Sequence, residues 1–441
     1  MKSMTALALV LASASSAFAA SNESFVDQVG TFNAAITSQK GGNNQQSVSQ
    51  MGTKNSAITT QTLAGANTNA SSINQTGTAN NALVGQTGGN SAQTTQQIGT
   101  QNTAVTAQSS TFTGASNAAQ TTQTGTGNVA ATIQNATAIS SQDPASTANA
   151  ASTMQMGSAN NALSGQTGGK NIAQTVQAGT ANNAVTAQAD EDVVAGSTNT
   201  SFTGQFGNSN SSLTSQKTAD NAGTFSFTTG EANLSSVMQS GTGNAAITAQ
   251  DASGGSLQGA NNAASTIQNG SKNFAATAQS GNAFDGNSNN MFNTSAIAQT
   301  GTANTAAVSQ VDAANTQSTT QVGTQNAAIV GQMNVASAAV VNTAQTQQVG
   351  TGNFAVTSQS VANPLVTGTS TSLISQMGSQ NTAIAAQTTG MQNMIGANLQ
   401  STTQVGTGNY ALTSQSFGSG VSNTAMTTQM GSHNVAITAQ R

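Results

Sequence analysis

Few side chains in this sequence could do acid–base or metal chemistry. There is one histidine, His433, and one acidic cluster, Asp190-Glu191-Asp192. General acid–base catalysis needs a titratable group within reach of a partner or a substrate proton, and the stretch around His433, "QMGSHNVAITAQ", supplies no partner. The acidic trio lacks the Asp and Gly spacing with which a calcium loop wraps oxygens around its ion. It falls between repeats and is expected to form a solvated loop, its charges acting as gatekeepers against premature stacking. Solenoids that cleave polysaccharides carry carboxylates or bases on their strands. Here that pattern is missing, so catalysis, cofactors and metals are not expected.

Carboxamides, by contrast, recur at fixed spacing. The frame Q-x-G-x-x-N-x-A-x-x-x-Q occurs sixteen times, first from Gln28 and last from Gln429. Its opening Gln, Gly, Asn and closing Gln hold in all sixteen copies, and the Ala gives way once, at Ser212. Six residues before the opening Gln stands Asn, replaced by Ser91 and Ser370 in two copies. A carboxamide has two donor hydrogens and two acceptor lone pairs, and burying it unpartnered is costly. An identical carboxamide directly above and below satisfies both needs, as in cross-β stacks. The pattern therefore predicts amide ladders.

Ladders require elements that hold equivalent residues one above another. Counted from the opening Gln, the fixed positions fall at −6, 0 and +2, then at +5, +7 and +11. A period of two means strands, with the fixed residues on one face. The parity breaks between Gly at +2 and Asn at +5, with Thr or Ser at +3 in fifteen copies, which predicts a tight strand–turn–strand arc. The other connection varies from four residues (40–43) to sixteen (217–232). Insertions confined to one edge are expected when each repeat is one rung of a stacked solenoid.

The expected fold is thus all-β: a parallel, in-register β-solenoid over residues 20–441, with two strands and one G-x-x-N turn per rung, repeating from 22–39 to 423–440. The residues expected to face inward include Gln28, Gly30, Asn33 and Gln39 in the first rung and Gln97, Gly99, Asn102 and Gln108 in the fourth. In the thirteenth they are Asn342, Gln348, Gly350, Asn353, Ala355 and Gln359. Gly and Ala on that face would let the two sheets approach closely. Charge is expected outside: Glu23 and Asp27 by their odd offsets, and Lys54, Lys272 and His433 in the turn at +4. Two apolar columns also point outward, Val29, Met51 and Ile98 at +1 and Ile36, Ile58 and Val105 at +8. Stacked, they form ridges beside the turn and are expected to serve lateral contact.

Composition agrees. Aromatics are 3% and charged residues 4%, with no Cys or Trp, against about 25% charge in an ordinary globular chain. The net charge of −4 is spread thinly, and without a basic patch nucleic acid is not an expected partner. Lys2, the run "MTALALVLA" and the small-residue site Ala17-Phe18-Ala19 form a secretory signal pattern, with cleavage expected after Ala19. That run is too short to span a bilayer, so export without membrane insertion is expected. Repeat one opens at Asn22 and repeat sixteen closes at Gln440, so both ends are expected to be uncapped edges. Asn22, Gln28, Asn33 and Gln39 would template on Asn423, Gln429, Asn434 and Gln440 of another copy. Such a heterologous contact does not close and grows a filament, adding ~77 Å per subunit at ~4.8 Å per rung.

The eighteen-residue unit [NS]-x5-Q-x-G-x2-N-x-A-x3-Q closely resembles the curlin repeat of the major curli subunit, over essentially the whole chain beyond the signal segment. The resemblance implies a secreted bacterial subunit of functional amyloid fibres at the cell surface, serving biofilm matrix, adhesion and colonisation. It also implies a minor curlin as nucleator, a dedicated outer-membrane secretion channel and chaperones that delay assembly. This chain departs from the familiar curlin in carrying more repeats, longer connections, mainly Asn at the first position and almost no segment between signal and repeats. Its inward positions at −4, −2 and +9 are often Ala, Ser or Thr where the family places larger apolar residues. The rival expectation is a monomeric β-solenoid adhesin or ice- or surface-binding protein, against which the inward parity of Thr at +9 argues.

Overall fold

The computed structural model describes residues 22–63, 68–110, 115–136, 148–190, 198–220, 232–254, 260–282, 291–312, 314–334, 340–361, 367–389, 395–417 and 422–440. The expected signal peptide, 1–19, lies outside these residues, as do Glu191 and Asp192. The described chain forms thirty-two strands, which alternate between two sixteen-stranded parallel sheets. Each repeat gives one strand to each sheet. In the first repeat these are β1 (Glu23–Thr31) and β2 (Ala34–Lys40), and in the second β3 (Asn43–Thr53) and β4 (Ser56–Thr62).

Within each unit register is the same from rung to rung. Gln28 pairs with Gln50 and Gly30 with Gly52, Gln39 with Gln61, Gln348 with Gln376 and Gln359 with Gln387. A slip of one residue would turn every carboxamide to the outside, so unequal connections leave the pairing unchanged. The chain divides into two compact units, residues 1–209 and 210–441. In each, the core lies between the two sheets and its apolar part is small. The first unit clusters Ala35, Val48, Ala57, Ile73, Ala82 and Val84, and the second clusters Ala275, Ile297, Ala306, Val308, Val330 and Ala344. Beside Ile73 and Ile297, the bulkiest fully buried side chains are glutamines such as Gln50, Gln75 and Gln97.

The turn differs in detail from the expected one. Strands run through +3, and the turn proper is +4 and +5, as at Phe32 and Asn33 between β1 and β2. Position +4 takes the left-handed region even without glycine: φ is 58° at Phe32, 58° at Lys54, 56° at Gln101 and 57° at His433. Stacking holds this uncommon conformation. The amide at +4 donates to the carbonyl at +3 of the preceding rung, as Lys54 N to Thr31 O (2.9 Å) and Gly352 N to Thr324 O (2.9 Å).

The glycines at +2 are not inward residues. Gly30 is exposed, and Gly99 and Gly350 are half-buried. Their φ values are 123°, 121° and 125°, a range L-residues rarely adopt. A Cβ on Gly350 would lie 1.9 Å from the Gly378 carbonyl oxygen of the next rung. Glycine is needed here for approach between rungs rather than between sheets.

Second strands also outlast the closing Gln. Position +13, two residues beyond it, is buried at Ser110, Ala136, Thr218, Ala252, Val361 and Thr389. Asp190 occupies this position at the end of the strand Asn183–Asp190. It is 5% exposed, and its Oδ2 accepts from Lys170 N at 3.2 Å. The expectations of a solvated acidic loop and a charge-free interior therefore fail at Asp190, because the strand carries the inward face into the connection. Glu23 and Asp27 are exposed, as their offsets require.

These contacts separate two glycine classes. A Cβ on Gly331, an outward strand position, meets nothing within 4 Å. Gly350→Ala should lower the guanidinium unfolding free energy of freshly purified chain by about 2 kcal/mol or more, and Gly331→Ala by less than about 0.5 kcal/mol. Equal effects would refute the account of +2.

Candidate functional site

The glutamines expected to form ladders lie in continuous hydrogen-bonded columns within each unit. In the first unit Gln28 Nε2 donates to Gln50 Oε1, Gln50 to Gln75 (2.7 Å), Gln75 to Gln97 (2.7 Å) and Gln97 to Gln123 (2.8 Å). In the second, Gln321 donates to Gln348, Gln348 to Gln376 and Gln376 to Gln404 (each 2.8 Å). The second hydrogen of the same amide crosses to the opposite sheet: Gln97 Nε2 to Asn81 O (2.9 Å) and Gln348 Nε2 to Ala327 O (2.9 Å). From the second rung on, each opening Gln named here thus joins rung to rung and sheet to sheet. The closing Gln repeats the arrangement. Gln39 donates to Gln61 (2.9 Å), Gln108 to Gln134 (2.8 Å) and Ala92 O (3.0 Å), and Gln359 to Gln387 (2.8 Å) and Thr343 O (3.0 Å).

The turn asparagines form a third column of opposite polarity. Asn102 donates from both its main-chain N and Nδ2 to Asn80 Oδ1 of the preceding rung (3.2 and 3.1 Å) and reaches the Gly125 carbonyl of the next (3.0 Å). Asn353 does the same with Asn326 Oδ1 (both 3.1 Å) and Gly378 O (3.0 Å). The Asn at −6 forms the fourth column, as Asn342 Nδ2 to Asn315 Oδ1 (3.0 Å). Ala355, fully buried, packs with Ile374, Ala383 and Ala385 where sheet meets sheet. All these groups are neutral. Among the described residues no cluster of three or more His, Cys, Asp or Glu could hold a metal, and no helix is long and apolar enough to cross a membrane.

The two serines at −6 interrupt the fourth column, a consequence missed in treating Ser as a short polar equivalent. Asn69 Oδ1 and Asn342 Oδ1, which face the rungs of Ser91 and Ser370, are buried without a partner, as are both serine Oγ atoms. In the rung after Ser370, Asn398 Nδ2 has no partner, and in the rung after Ser91, Asn117 Nδ2 keeps the bond to Ser109 O (2.8 Å) that uninterrupted rungs also make, as Asn199 to Ala189 O (3.0 Å). A hydroxyl is too short to span the rung spacing, and two positions in the sequence already encode the gap.

At the outermost described rungs the columns lose their neighbours. Asn22 is exposed, Gln28 half-buried, and Asn33 and Gln39 just buried. At the other end Asn423, Asn434 and Gln440 are half-buried and Gln429 buried. The outward columns are real surface features: Val29, Ile36, Met51 and Ile98 are exposed, while neighbouring side chains leave Ile58 and Val105 half-buried. His433 is exposed in its turn.

Two substitutions test the ladders from opposite directions. Ser370→Asn should restore the column between Asn342 and Asn398 and raise the unfolding free energy by about 1–2 kcal/mol; no gain would refute the broken-column account. Gln348→Leu strands Gln376 Oε1 and one hydrogen of Gln321 and should cost about 2–4 kcal/mol, whereas Val349→Thr on the outer face should cost under about 0.5 kcal/mol. Compared with known proteins, the chain matches no family model and no curated sequence, so its own ladders and rung edges carry the functional reading.

Proposed function

We propose that this chain is a secreted structural subunit that polymerises head-to-tail into extracellular, curli-like functional amyloid fibres serving biofilm matrix, adhesion and surface colonisation. The observation that carries this is the recurrence of the Gln and turn-Asn ladder residues in every rung, combined with their partial exposure at the first and last described rungs. A rung edge with unpaired strand and amide groups is a template for another rung, and the nearest rung with matching register belongs to a second copy. The contact uses different surfaces on the two partners, so it propagates instead of closing. Secretion rests on the leader pattern at residues 1–19. The nucleator, outer-membrane channel and delaying chaperones belong to the proposal through the curlin resemblance. The threonines at +9, such as Thr59, Thr106 and Thr357, are buried, so they supply no outward hydroxyl array for an ice- or surface-binding monomer.

The test is electron microscopy and fibre diffraction on purified chain beginning at residue 20. Thioflavin-positive fibres should grow with concentration and give an axial reflection at about 4.7–4.8 Å. A monomer that persists at high concentration would sink the proposal. Replacing Gln429 and Gln440 together with Ala should slow elongation about tenfold or more relative to the same change at Gln205 and Gln216 in repeat eight, because donors are removed from the growing edge.

A further inference from the structure

Two features mark the outermost described rungs. The first is polarity. Each Gln contact given above runs from Nε2 of one rung to Oε1 of the rung that follows it in sequence, and the last opens the same way, Gln404 to Gln429 (2.7 Å) and Gln415 to Gln440 (2.8 Å). The turn Asn column runs in reverse, ending with Asn434 Nδ2 to Asn409 Oδ1 (2.9 Å). The first rung therefore presents Gln acceptors, and the last presents Gln donors. Gln28 Oε1, where the amide of a preceding rung would arrive, is buried and has no partner.

The second feature lies on the outer face at −3. Eleven of the fourteen interior rungs place polar residues there, as in the register-matched series Ser47, Ser72, Thr94 and Gln120, and the other three have Phe202, Ala296 and Leu373. The first rung has Phe25 and the last Met426. Each has a serine as its neighbour inside the molecule, Phe25 beside Ser47 and Met426 beside Ser401. Their exposures, 63% and 77%, exceed the 55% of the most exposed interior ridge residues, Met51 and Met377. Met430 at +1 is 74% exposed.

We infer that these residues form a dedicated joint between copies of the chain, resting on the polymerisation proposed above. One rung step places Met426 of one copy beside Phe25 of the next, at a spacing that suits a thioether against an aromatic ring (~5 Å). The same step continues the +1 ridge from Met430 to Val29. Inside, Gln429 Nε2 keeps its bond to Tyr410 O (2.9 Å) and gives its second hydrogen to Gln28 Oε1, while Asn33 donates to Asn434 Oδ1. Contact between two first rungs would set acceptor against acceptor, so the joint forms in one orientation.

The experiment is seeded elongation of chain from residue 20, comparing Phe25→Ser plus Met426→Ser with Phe202→Ser plus Leu373→Ser, the interior apolar residues at the same offset. The end pair should slow elongation by about tenfold, and the interior pair should elongate at the unsubstituted rate. Equal rates would overturn the joint while leaving polymerisation standing; unsubstituted chain that forms no fibres would overturn both. The chain has no cysteine, so a second measurement uses Phe25→Cys with Met426→Cys and a bifunctional thiol reagent spanning ~5 Å, about one rung. Fibres of the double variant should give covalent multimers, and fibres of either single variant only monomers. Multimers absent from the double variant, or cross-linked dimers from a single one, would overturn the inferred orientation.

Discussion

The interaction on which everything else depends is the hydrogen bond from one side-chain carboxamide to its equivalent in the next rung. It requires an identical residue one strand spacing away, so it fixes register. It also requires burial, since in water the same groups would bond to solvent with little net gain. Gln97 and Gln348 meet both conditions and add a bond to the opposite sheet. A core poor in large apolar side chains can hold two sheets together because each opening Gln links both directions of packing. The hydrogen bond here does the specifying that jigsaw packing does in an ordinary domain.

The backbone follows from the same demand. Equivalent residues must superpose even in the turn, so the turn is an unvarying length and its amides bond along the stack like those of the strands. Glycine at +2 is forced by the closeness of the neighbouring glycine carbonyl. The opposite connection varies in length and is released from this rule. Growing it from four residues to sixteen, two doublings, costs only about 1.2 kcal/mol of closure entropy. The contrast between a fixed edge and a variable one is therefore energetic. One edge transmits register, and the other only reconnects strands whose register is already set.

Much of this was legible because the sequence repeats. Period two, the parity break and the constant turn were enough for strands, sheets and the inward columns at −6, 0, +5, +7 and +11. What escaped depended on three-dimensional detail that parity cannot carry. Gly350 sits at an even offset, and parity counts it as inward, but its φ of 125° takes the chain out of the pleat on which parity rests. Asp190 lies beyond the closing Gln, and only the strand's continuation past the repeat frame shows that it is buried. Ser370 shares the polarity of its Asn equivalents but lacks their reach. Its cost becomes visible only in the unpartnered atoms of Asn342 and Asn398.

A code shared by every rung has a consequence for recognition. The trailing edge of any rung satisfies the leading edge of any other through Gln, Asn and strand groups alone, so ladder polarity sets the direction of stacking but does not tell joint from interior. In a quasi-one-dimensional stack each rung answers only to its neighbours, and identity must be written where the ladder imposes nothing. That place is the outer face, whose side chains change from rung to rung while the inward columns stay constant. Serine beside Phe25 and serine beside Met426 leave each apolar group without a match inside its own molecule. Under the head-to-tail stacking proposed above, variation that reads as drift along the interior rungs becomes information at the first and last described rungs.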